Sequence, residues 1–471
     1  MLNSNSIAIT VSNDEPEDSN RMRVRVRKKR KKVRGHGDGK LSLLCTKFLL
    51  RNWLLVVVLL SVGILWFETS KVGEEVTTSV MESAEPVIPE GKVSLENLDR
   101  LDPTTRIVGG VKKRCLNLLP YEELQHLDIP LRDDLDGPVR SIMYISGTRS
   151  EKLVASTNFS QKETTSRFNL FTGYQSFEER EHSFKVDESK NIHCGFYNEG
   201  GGFRISEEDK TFMHNCKIVV ATCAFGGGDN LYQPIGMTET SLTKVCYTAF
   251  WDNITLAVQE SSGNKVSDDN FIGKWRIIVV QDLPFSDQRL NGKIPKMLGH
   301  RLFSQAQYSI WVDSKSQFRR DPLGVLEALL WRSKSVFSVS EHGARSSLYD
   351  EAIAVVRKHK ATLEEVEVQL AQYRQDGMPL DKRLNGKKAL NEASIIVREH
   401  TPTTNLFMCL WFNEAVRFTS RDQLSFPYVL WRLNEPKNIN VFPVCTRKDM
   451  VNSMGHVRKP KPLSLTRSAY L

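Results

Sequence analysis

The chain has 471 residues, of which 40% are hydrophobic and 26% are charged, a balance typical of a folded globular protein. Lys and Arg outnumber Asp and Glu by 65 to 56, which gives a formal net charge of +9. Basic residues crowd the segment from Arg21 to Arg34, which accounts for this excess and leaves the rest of the chain near neutral. Because no second basic stripe follows, the composition argues against a nucleic-acid partner.

An uninterrupted apolar run from Trp53 to Phe67 follows this basic segment. Lys and Arg are retained on the cytosolic side of a membrane, so the pair predicts a single-pass type II protein anchored in the lipid bilayer. The run spans about 22 Å as a helix, which suits a thin membrane of the early secretory pathway. We assign residues 1–47 to a cytosolic tail and 48–67 to a transmembrane signal-anchor. A buried core helix and a cleaved signal peptide are the alternatives.

The residues beyond the anchor are predicted to be lumenal. Residues 68–106 are acidic and poor in aromatic side chains, which indicates a stem. Residues 107–465 are long enough for an α/β catalytic domain. Two Asn-x-Ser/Thr sequons predict glycosylation at Asn158 and Asn253.

Seven of the eight cysteines follow the anchor, and an oxidising lumen favours their pairing. An odd number leaves at least one thiol outside any intrachain bridge. The cluster from Cys194 to Cys246 is expected to hold one or two bridges, with the connectivity open.

Apolar, β-rich runs alternate with helical patterns after Lys217. The predicted strands are Ile218–Ala224, Val245–Trp251, Trp275–Val280, Tyr308–Val312 and Val336–Val339. Helices are predicted after Asp321-Pro322, from Leu363 to Tyr373 and from Asn405 to Phe418. Continuous apolar strands covered by helices indicate an α/β fold whose Rossmann-like sheet is mixed, though largely parallel, and has helices on both faces.

Asp313 ends the predicted strand Tyr308–Val312, where the chain turns through Ser314 and Lys315. In open α/β sheets the ligand crevice lies off the carboxyl ends of the strands. This is the position of the Asp-x-Asp element in sugar-nucleotide transferases, where carboxylates hold a divalent cation. Asp313 is therefore a candidate catalytic residue and a candidate ligand for Mn²⁺ or Mg²⁺. Lys315 replaces the second Asp and could neutralise a diphosphate directly. The alternative is that Asp313 only caps a turn.

A glycine turn after the first predicted strand leads to Asp229, a candidate contact for a ribose or a base. Its alternative is a flexible turn. Arg421, Asp422 and Gln423 follow the apolar helix and are further candidates, with Asp422 as a general base and the other two binding substrate. Glu414, one to two turns earlier, is a second candidate base. A local ion pair between Arg421 and Asp422 is the alternative.

A basic stretch precedes the strand that ends at Asp313; its members are Arg289, Lys293, Lys296, His300 and Arg301. If it faces Asp313, then Lys293 and Arg301 could bind a pyrophosphate leaving group; a solvated helix face is the alternative. His342 follows a strand and precedes a glycine, which makes it a candidate catalytic or phosphate-contacting histidine.

Several stretches together resemble a plant family of Golgi type II membrane proteins. They are Asn191–Asn198, Cys216–Pro234, Tyr308–Lys315, Asp376–Pro379 and Arg421–Ser425. The resemblance covers about Leu116 to Leu465 and implies a Golgi-membrane enzyme with a glycosyltransferase A-like fold.

One branch of this family is described as an alkaline ceramidase linked to turgor control in pollen tubes and guard cells, and another as a probable hexosyltransferase of mucilage synthesis. The short tail and total length place the chain closer to the first branch. The resemblance thus implies ceramide hydrolysis to a sphingoid base and a fatty acid. Hexosyl transfer from a nucleotide sugar to a polysaccharide, glycan or lipid acceptor is the alternative, and a non-catalytic Golgi scaffold is a third. The partner is accordingly ceramide or a nucleotide sugar.

Overall fold

The computed structural model describes residues 103–130, 137–146, 167–197, 202–380, 390–434 and 436–462, with the backbone of 383–384 and 387–388. The predicted cytosolic tail, the signal-anchor, nearly all of the stem and Asn158 lie outside these residues. Within them, none of the helices combines the length and the apolar character that crossing a bilayer requires.

The described strands run in chain order as β1 Thr105–Val108, β2 Val111–Arg114, β3 Ser141–Tyr144, β4 Ser189–Ile192, β5 Ile218–Ala224, β6 Val245–Trp251, β7 Phe271–Ile272, β8 Trp275–Val279, β9 Tyr308–Val312, β10 Ser316–Phe318, β11 Phe337–Glu341, β12 Arg383–Leu384, β13 Lys387–Lys388, β14 Asn391–Glu399, β15 Ile439–Phe442 and β16 Val451–Ser453.

The described helices are α1 Tyr121–Gln125, α2 Phe177–Ser183, α3 Glu207–Asn215, α4 Glu239–Lys244, α5 Asn253–Ser261, α6 Gln288–Met297, α7 Gly299–Leu302, α8 Pro322–Leu326, α9 Leu348–Arg357, α10 Leu363–Gln375, α11 Pro402–Arg417, α12 Asp422–Leu433 and α13 Val444–Met450. A π-helical turn, Glu327–Trp331, extends α8.

The central sheet has eight strands among the described residues, in the order β15-β11-β14-β9-β5-β6-β8-β7. The strands β9, β5, β6 and β8 are mutually parallel, as are β11 and β15. Strand β14 runs antiparallel to both of its neighbours, and β7 runs antiparallel to β8. The predicted α/β class and its mixed central sheet are confirmed, and the antiparallel strand β14 separates β9 from β11.

Both faces of the sheet are buried along its inner strands β5 and β9, which explains why these strands are largely apolar. Along β5, Val219 and Ala221 join a core built with α6, α9, α11 and α12. Their neighbours Ile218 and Val220 join a second core, built with α8 and its π-helical extension. Alternate residues of a strand point to opposite faces of the sheet, so one apolar run contributes to both hydrophobic cores.

Three disulfides join distant parts of the chain: Cys115–Cys445, Cys194–Cys409 and Cys216–Cys246. Of these, one lies within the predicted cysteine cluster, while the other two close loops of more than 200 residues. Cys223 is the free thiol among the described cysteines, as the odd count requires.

Candidate active site

A cleft of about 330 Å³ opens at the carboxyl ends of β5 and β9. Because these strands are parallel neighbours, Asp229 after β5 and Asp313 after β9 reach the same edge of the sheet. Helix α6 and the start of α12 supply the facing wall. The charged side chains that line the cleft are Asp229, Asp313, Glu351, Glu392 and Asp422 with Arg289, Lys293, Lys296, Lys315, Arg345 and Arg421.

One face of α6 carries the basic side chains of the cleft. Arg289, Lys293 and Lys296 are spaced i, i+4 and i+7, which places them on one side of a helix. The helix begins at the N-cap Asp287, whose side chain accepts a hydrogen bond from the Arg289 backbone N–H. Three members of the basic stretch, Arg289, Lys293 and Lys296, therefore line the same cleft as Asp313.

Asp422 holds two of these cations together. Its Oδ2 atom lies 2.9 Å from Nζ of Lys293 and 2.8 Å from Nζ of Lys296. All three side chains are largely buried, with 5% of Asp422 and 6% of Lys296 exposed. Nζ of Lys296 also lies 3.5 Å from Oδ1 of Asp313, so the group is a chain of alternating charges from α12 to β9.

The neighbouring charges in this cluster determine which of its side chains are ionised. Burial favours the neutral form of Asp422, but the adjacent Lys293 and Lys296 outweigh it and hold the carboxyl pKa well below its ordinary range. Burial also opposes the charge of Lys296, and the carboxylates of Asp313 and Asp422 raise its pKa above the ordinary value. The pKa of Lys293 is lowered, because burial exceeds the attraction of Asp422. A carboxylate this acidic is a weak base, so the geometry favours a positioning role for Asp422 over the predicted general base.

Asp313 is held by its own strand as well as by Lys296. The indole Nε1–H of Trp311 donates a hydrogen bond of 2.8 Å to Oδ1 of Asp313. Lys315, two residues further on, also lines the cleft and is partly exposed. The strand end thus presents a carboxylate already bound to a cation, followed by an ammonium group.

A C-terminal segment, Gly455 to Pro462, crosses the cleft and contacts the turn after β5. Asp229, which is 5% exposed, accepts hydrogen bonds from the Val457 backbone N–H at 3.0 Å and from Nδ1 of His456 at 2.9 Å. The Lys461 N–H donates to the carbonyl of Gly226 at 2.8 Å. Gly226 has φ +66°, and a Cβ there would collide with the Lys461 backbone, so the crossing requires glycine.

Sequence reasoning missed His456. The signal that could have found it is the Gly455-His456 pair followed by a basic, proline-containing run after the last strand. Its ring reaches Asp229 from more than 200 positions away along the chain. The predicted contact residue Asp229 is thus anchored by the C-terminal segment rather than left on a flexible turn.

The mouth of the cleft has an excess of positive charge. The pKa of Lys360 is lowered by burial and then by repulsion from nearby cations, which are Arg421, Arg289, Lys459 and Lys315. Arg421 donates from Nη2 to Oε1 of Gln423 at 3.1 Å. Its buried Nε has no hydrogen-bond partner among the residues that the structure describes. The alternative interpretation, a local ion pair of Arg421 with Asp422, is not found among the described residues, where Asp422 binds the two lysines instead.

Three predicted site residues lie outside the cleft. Glu414 is buried in α11, where its Oε1 accepts from Nε of Arg180 at 2.7 Å, because its face of the helix packs into the core. The guanidinium of Arg301 stacks 4.0 Å from the ring centre of Tyr144, since α6 ends before it. His342 lies behind the wall, where its Nδ1 accepts from the Arg345 backbone N–H at 2.9 Å. Burial and, to a smaller extent, the positive charge of Arg345 lower the pKa of His342, which keeps its ring neutral.

The donor set of the cleft does not suit a divalent cation. Such an ion needs several free oxygen ligands, whereas both oxygens of Asp229 and one each of Asp313 and Asp422 already accept from protein donors. Within the described residues, one group of three His, Cys, Asp or Glu side chains is close enough to share a metal. It is Cys194, His300 and Cys409, whose sulfurs form a disulfide. The predicted metal role of Asp313 therefore has no support in the geometry.

Comparison with known proteins gives the family. Residues 153–456 match the family model described as TOD1/MUCI70, glycosyltransferase-like domain. The probable hexosyltransferase MUCI70 of Arabidopsis thaliana is 34% identical over 352 residues, which is 72% of this chain and 58% of that protein. The alkaline ceramidase TOD1 of Arabidopsis thaliana is 31% identical over 328 residues, 68% of this chain and 66% of that protein. The chain thus spans less than two thirds of either relative.

Solved structures give weaker likenesses. Mouse xyloside xylosyltransferase 1 in its apo form aligns with a TM-score of 0.28 and 9% identity, over 48% of this chain and 84% of that one. The bifunctional glycosyltransferase WbbM in its apo form aligns with a TM-score of 0.28 and 8% identity, over 49% and 39% of the two chains.

These findings correct the expectation of ceramide hydrolysis, which is wrong. The matched domain is glycosyltransferase-like, and the relative with the higher identity is named as a hexosyltransferase. The cleft agrees with this correction, because walls that carry five carboxylates and six Lys or Arg side chains suit a phosphate-bearing ligand better than long acyl chains. The chain belongs to the TOD1/MUCI70 glycosyltransferase-like family.

Proposed function

We propose that the chain is a hexosyltransferase that moves a sugar from a nucleoside-diphosphate donor to a hydroxyl of a polysaccharide, glycan or lipid acceptor. The observation that carries the proposal is the set of Lys and Arg side chains gathered where β5 and β9 end. Ligands of open α/β sheets bind at the carboxyl ends of the strands, and a diphosphate is the ligand that such cations recognise.

In this proposal the sheet acts as the Rossmann-like, glycosyltransferase A-like half of the enzyme. The nucleoside lies over the turn after β5, where the buried carboxylate of Asp229 and its partner His456 contact the ribose or base. The diphosphate extends from there towards Lys315 and α6. The sugar then lies near Gln423 and Glu392, on the wall that faces the acceptor.

The reaction breaks the bond between the anomeric carbon of the sugar and the β-phosphate oxygen, and it forms a bond from that carbon to the acceptor oxygen. The two electrons of the broken bond leave with the diphosphate. Lys293, Lys296 and Arg421 are positioned to stabilise that developing charge, and Asp422 keeps both lysines pointed into the cleft. Fixed cations of this kind stabilise a transition state without reorganising during the reaction.

The acceptor hydroxyl loses a proton in the same reaction. Among the described lining carboxylates, Glu392 has the most distant cation, Arg447 at 3.8 Å. The other carboxylates hold Lys, Arg or His at shorter distances, so their oxygens are less available to the acceptor hydroxyl. We therefore assign the general base to Glu392.

The proposal places this domain in the Golgi lumen, behind the type II anchor predicted at residues 48–67. The support is the charge asymmetry around Trp53–Phe67 and the set of disulfides, which form in oxidising compartments. Asn253 is exposed at the first turn of α5, in keeping with a glycosylated surface position.

A donor screen tests the function. The purified full-length chain is incubated with UDP- and GDP-hexoses, and release of the nucleoside diphosphate is measured. We expect release from one donor, reduced at least tenfold in Lys293→Ala, because each lost charge-assisted contact costs about 1.5–3 kcal/mol. The exposed loop variant Lys265→Ala is the matched control and should keep full activity. Turnover that survives unchanged in Lys293→Ala would place the chemistry elsewhere.

A further inference from the structure

We propose that side chains, with Lys315 and Arg421 foremost, neutralise the diphosphate of the donor, so that the chain binds it without a divalent cation. This inference rests on the proposed hexosyl transfer and specifies how its donor is recognised. The sequence had instead predicted that Asp313, at the end of its strand, binds Mn²⁺ or Mg²⁺.

The residue at the strand end is the first argument. In the order Asp313-Ser314-Lys315, an ammonium group takes the position of the second carboxylate of an Asp-x-Asp element. Lys315 lines the cleft, and the backbone carbonyl of Lys315 accepts from the Met454 N–H at 2.8 Å, which fixes the turn. A positive side chain there repels a metal ion and attracts the phosphate oxygens that the ion would bridge.

The second argument is that three of the five carboxylates that line the cleft, Asp229, Asp313 and Asp422, already bind donors of the protein. Asp313 has Lys296 at 3.5 Å, and Asp422 has both Lys293 and Lys296 within 2.9 Å. Asp229 is bonded by a backbone N–H and by His456. A metal ion at Asp313 and Asp422 would lie beside the ammonium groups of Lys293 and Lys296, whose positive charges oppose its own.

The third argument is the surplus of cations that these pairs leave. Arg421, Lys459 and Lys315 lie close enough to Lys360 to disfavour its charge, as does Arg289, which also pairs with Asp287 at 2.9 Å. Nε of Arg421 is buried and lacks a hydrogen-bond partner within the described residues. Like charges gathered at a cleft mouth repel each other until an anion binds, so this cluster indicates a ligand with several negative charges. A nucleoside diphosphate meets that requirement.

Equilibrium binding of UDP and GDP to the full-length chain tests the inference. Titration calorimetry is run in EDTA and again in excess Mn²⁺. We expect the dissociation constant of the bound nucleotide to agree within about twofold between the two conditions. Lys315→Ala should weaken binding about tenfold in both, which is the loss of one charge-assisted contact to phosphate. Lys265→Ala should bind as the wild type does.

A second variant tests the exchange of charge directly. Lys315→Asp restores Asp-Ser-Asp at the strand end, and its folding is checked from an unchanged Tm. In EDTA, we expect Lys315→Asp to bind UDP more weakly than Lys315→Ala does. Mn²⁺ should restore part of the binding of Lys315→Asp. Undiminished binding of Lys315→Asp in EDTA would overturn the inference, as would wild-type binding that EDTA abolishes and Mn²⁺ restores. Absence of UDP and GDP binding under both conditions would instead contradict the proposed function itself.

Discussion

Replacing Asp422 with asparagine removes the negative charge that lies between two buried lysines. In the wild type, Oδ2 of Asp422 is 2.9 Å from Lys293 and 2.8 Å from Lys296, and 5% of the side chain is exposed. Asparagine has nearly the same shape, so the variant isolates the charge. Lys296 keeps the more distant Asp313 at 3.5 Å, whereas Lys293 has no second carboxylate within ion-pair distance among the described residues.

The expected cost follows from leaving a buried cation without its partner. Removing one member of a buried ion pair costs about 3–5 kcal/mol. We expect the lower end, about 3 kcal/mol, because the Asn oxygen still accepts one hydrogen bond and the cleft admits water. At about 2 °C per kcal/mol for a domain of this size, Tm should fall by about 6 °C.

The direction of the pKa shift of Asp422 predicts how its stabilising effect changes with pH. The pKa of Asp422 is lower in the folded chain than the value of about 3.9 in the unfolded chain. Its stabilising effect is therefore fully present above about pH 4 and is lost as the pH falls towards the folded-state pKa. The difference in stability between wild type and Asp422→Asn should be constant from pH 7 to pH 5 and should shrink below pH 4.

Urea unfolding followed by tryptophan fluorescence measures both effects. The control is Asp268→Asn, an exposed loop position that should change the free energy of unfolding by less than about 0.5 kcal/mol. A loss below 1 kcal/mol for Asp422→Asn, or a difference that grows as the pH falls, would refute the reasoning that this carboxylate holds the two lysines.

Three further predictions concern other parts of the site. Glu392→Gln should lower kcat at least a hundredfold, because that is the scale of a lost general base. UDP binding, measured by calorimetry, should stay within twofold of the wild type, and equal losses in kcat and binding would contradict the assigned role. Gly226→Ala should release the C-terminal segment, because a Cβ there meets the Lys461 backbone, and should speed limited proteolysis after Arg458; unchanged proteolysis would count against that contact. Asn253→Gln should reduce the endoglycosidase-sensitive gel shift by the size of one glycan, and an unchanged shift would contradict glycosylation at Asn253.

The sequence was most informative where both faces of a strand are buried. Strands such as Tyr308–Val312 are short apolar runs, and the polar residue that follows each one marks the edge where ligands bind. Strand β14, Asn391–Glu399, escaped prediction because Asn, Glu, Ser and Arg flank its apolar centre. The mixed sheet was therefore predicted without the antiparallel strand that lies near its centre.

Neighbours in sequence were a poor guide to neighbours in the site. Glu414 and Asp422 are eight positions apart, yet Glu414 pairs with Arg180 in the core, while Asp422 faces the cleft. The reason is that Glu414 lies within α11 and points away from the cleft, whereas Asp422 opens α12 at its edge. His456 reaches Asp229 only through the tertiary fold, so the local pattern around Gly455 and His456 could mark the histidine but not its partner.

Hydrogen–deuterium exchange with a bound nucleotide sugar tests the central claim most directly. If the cleft at the ends of β5 and β9 binds the donor, then a UDP- or GDP-hexose should slow exchange in the turn after β5, around Asp313 to Lys315 and in the segment from His456 to Lys461. These three segments are far apart in sequence and meet only in the cleft. Protection confined to other parts of the chain, or no protection by any nucleotide sugar, would contradict the account.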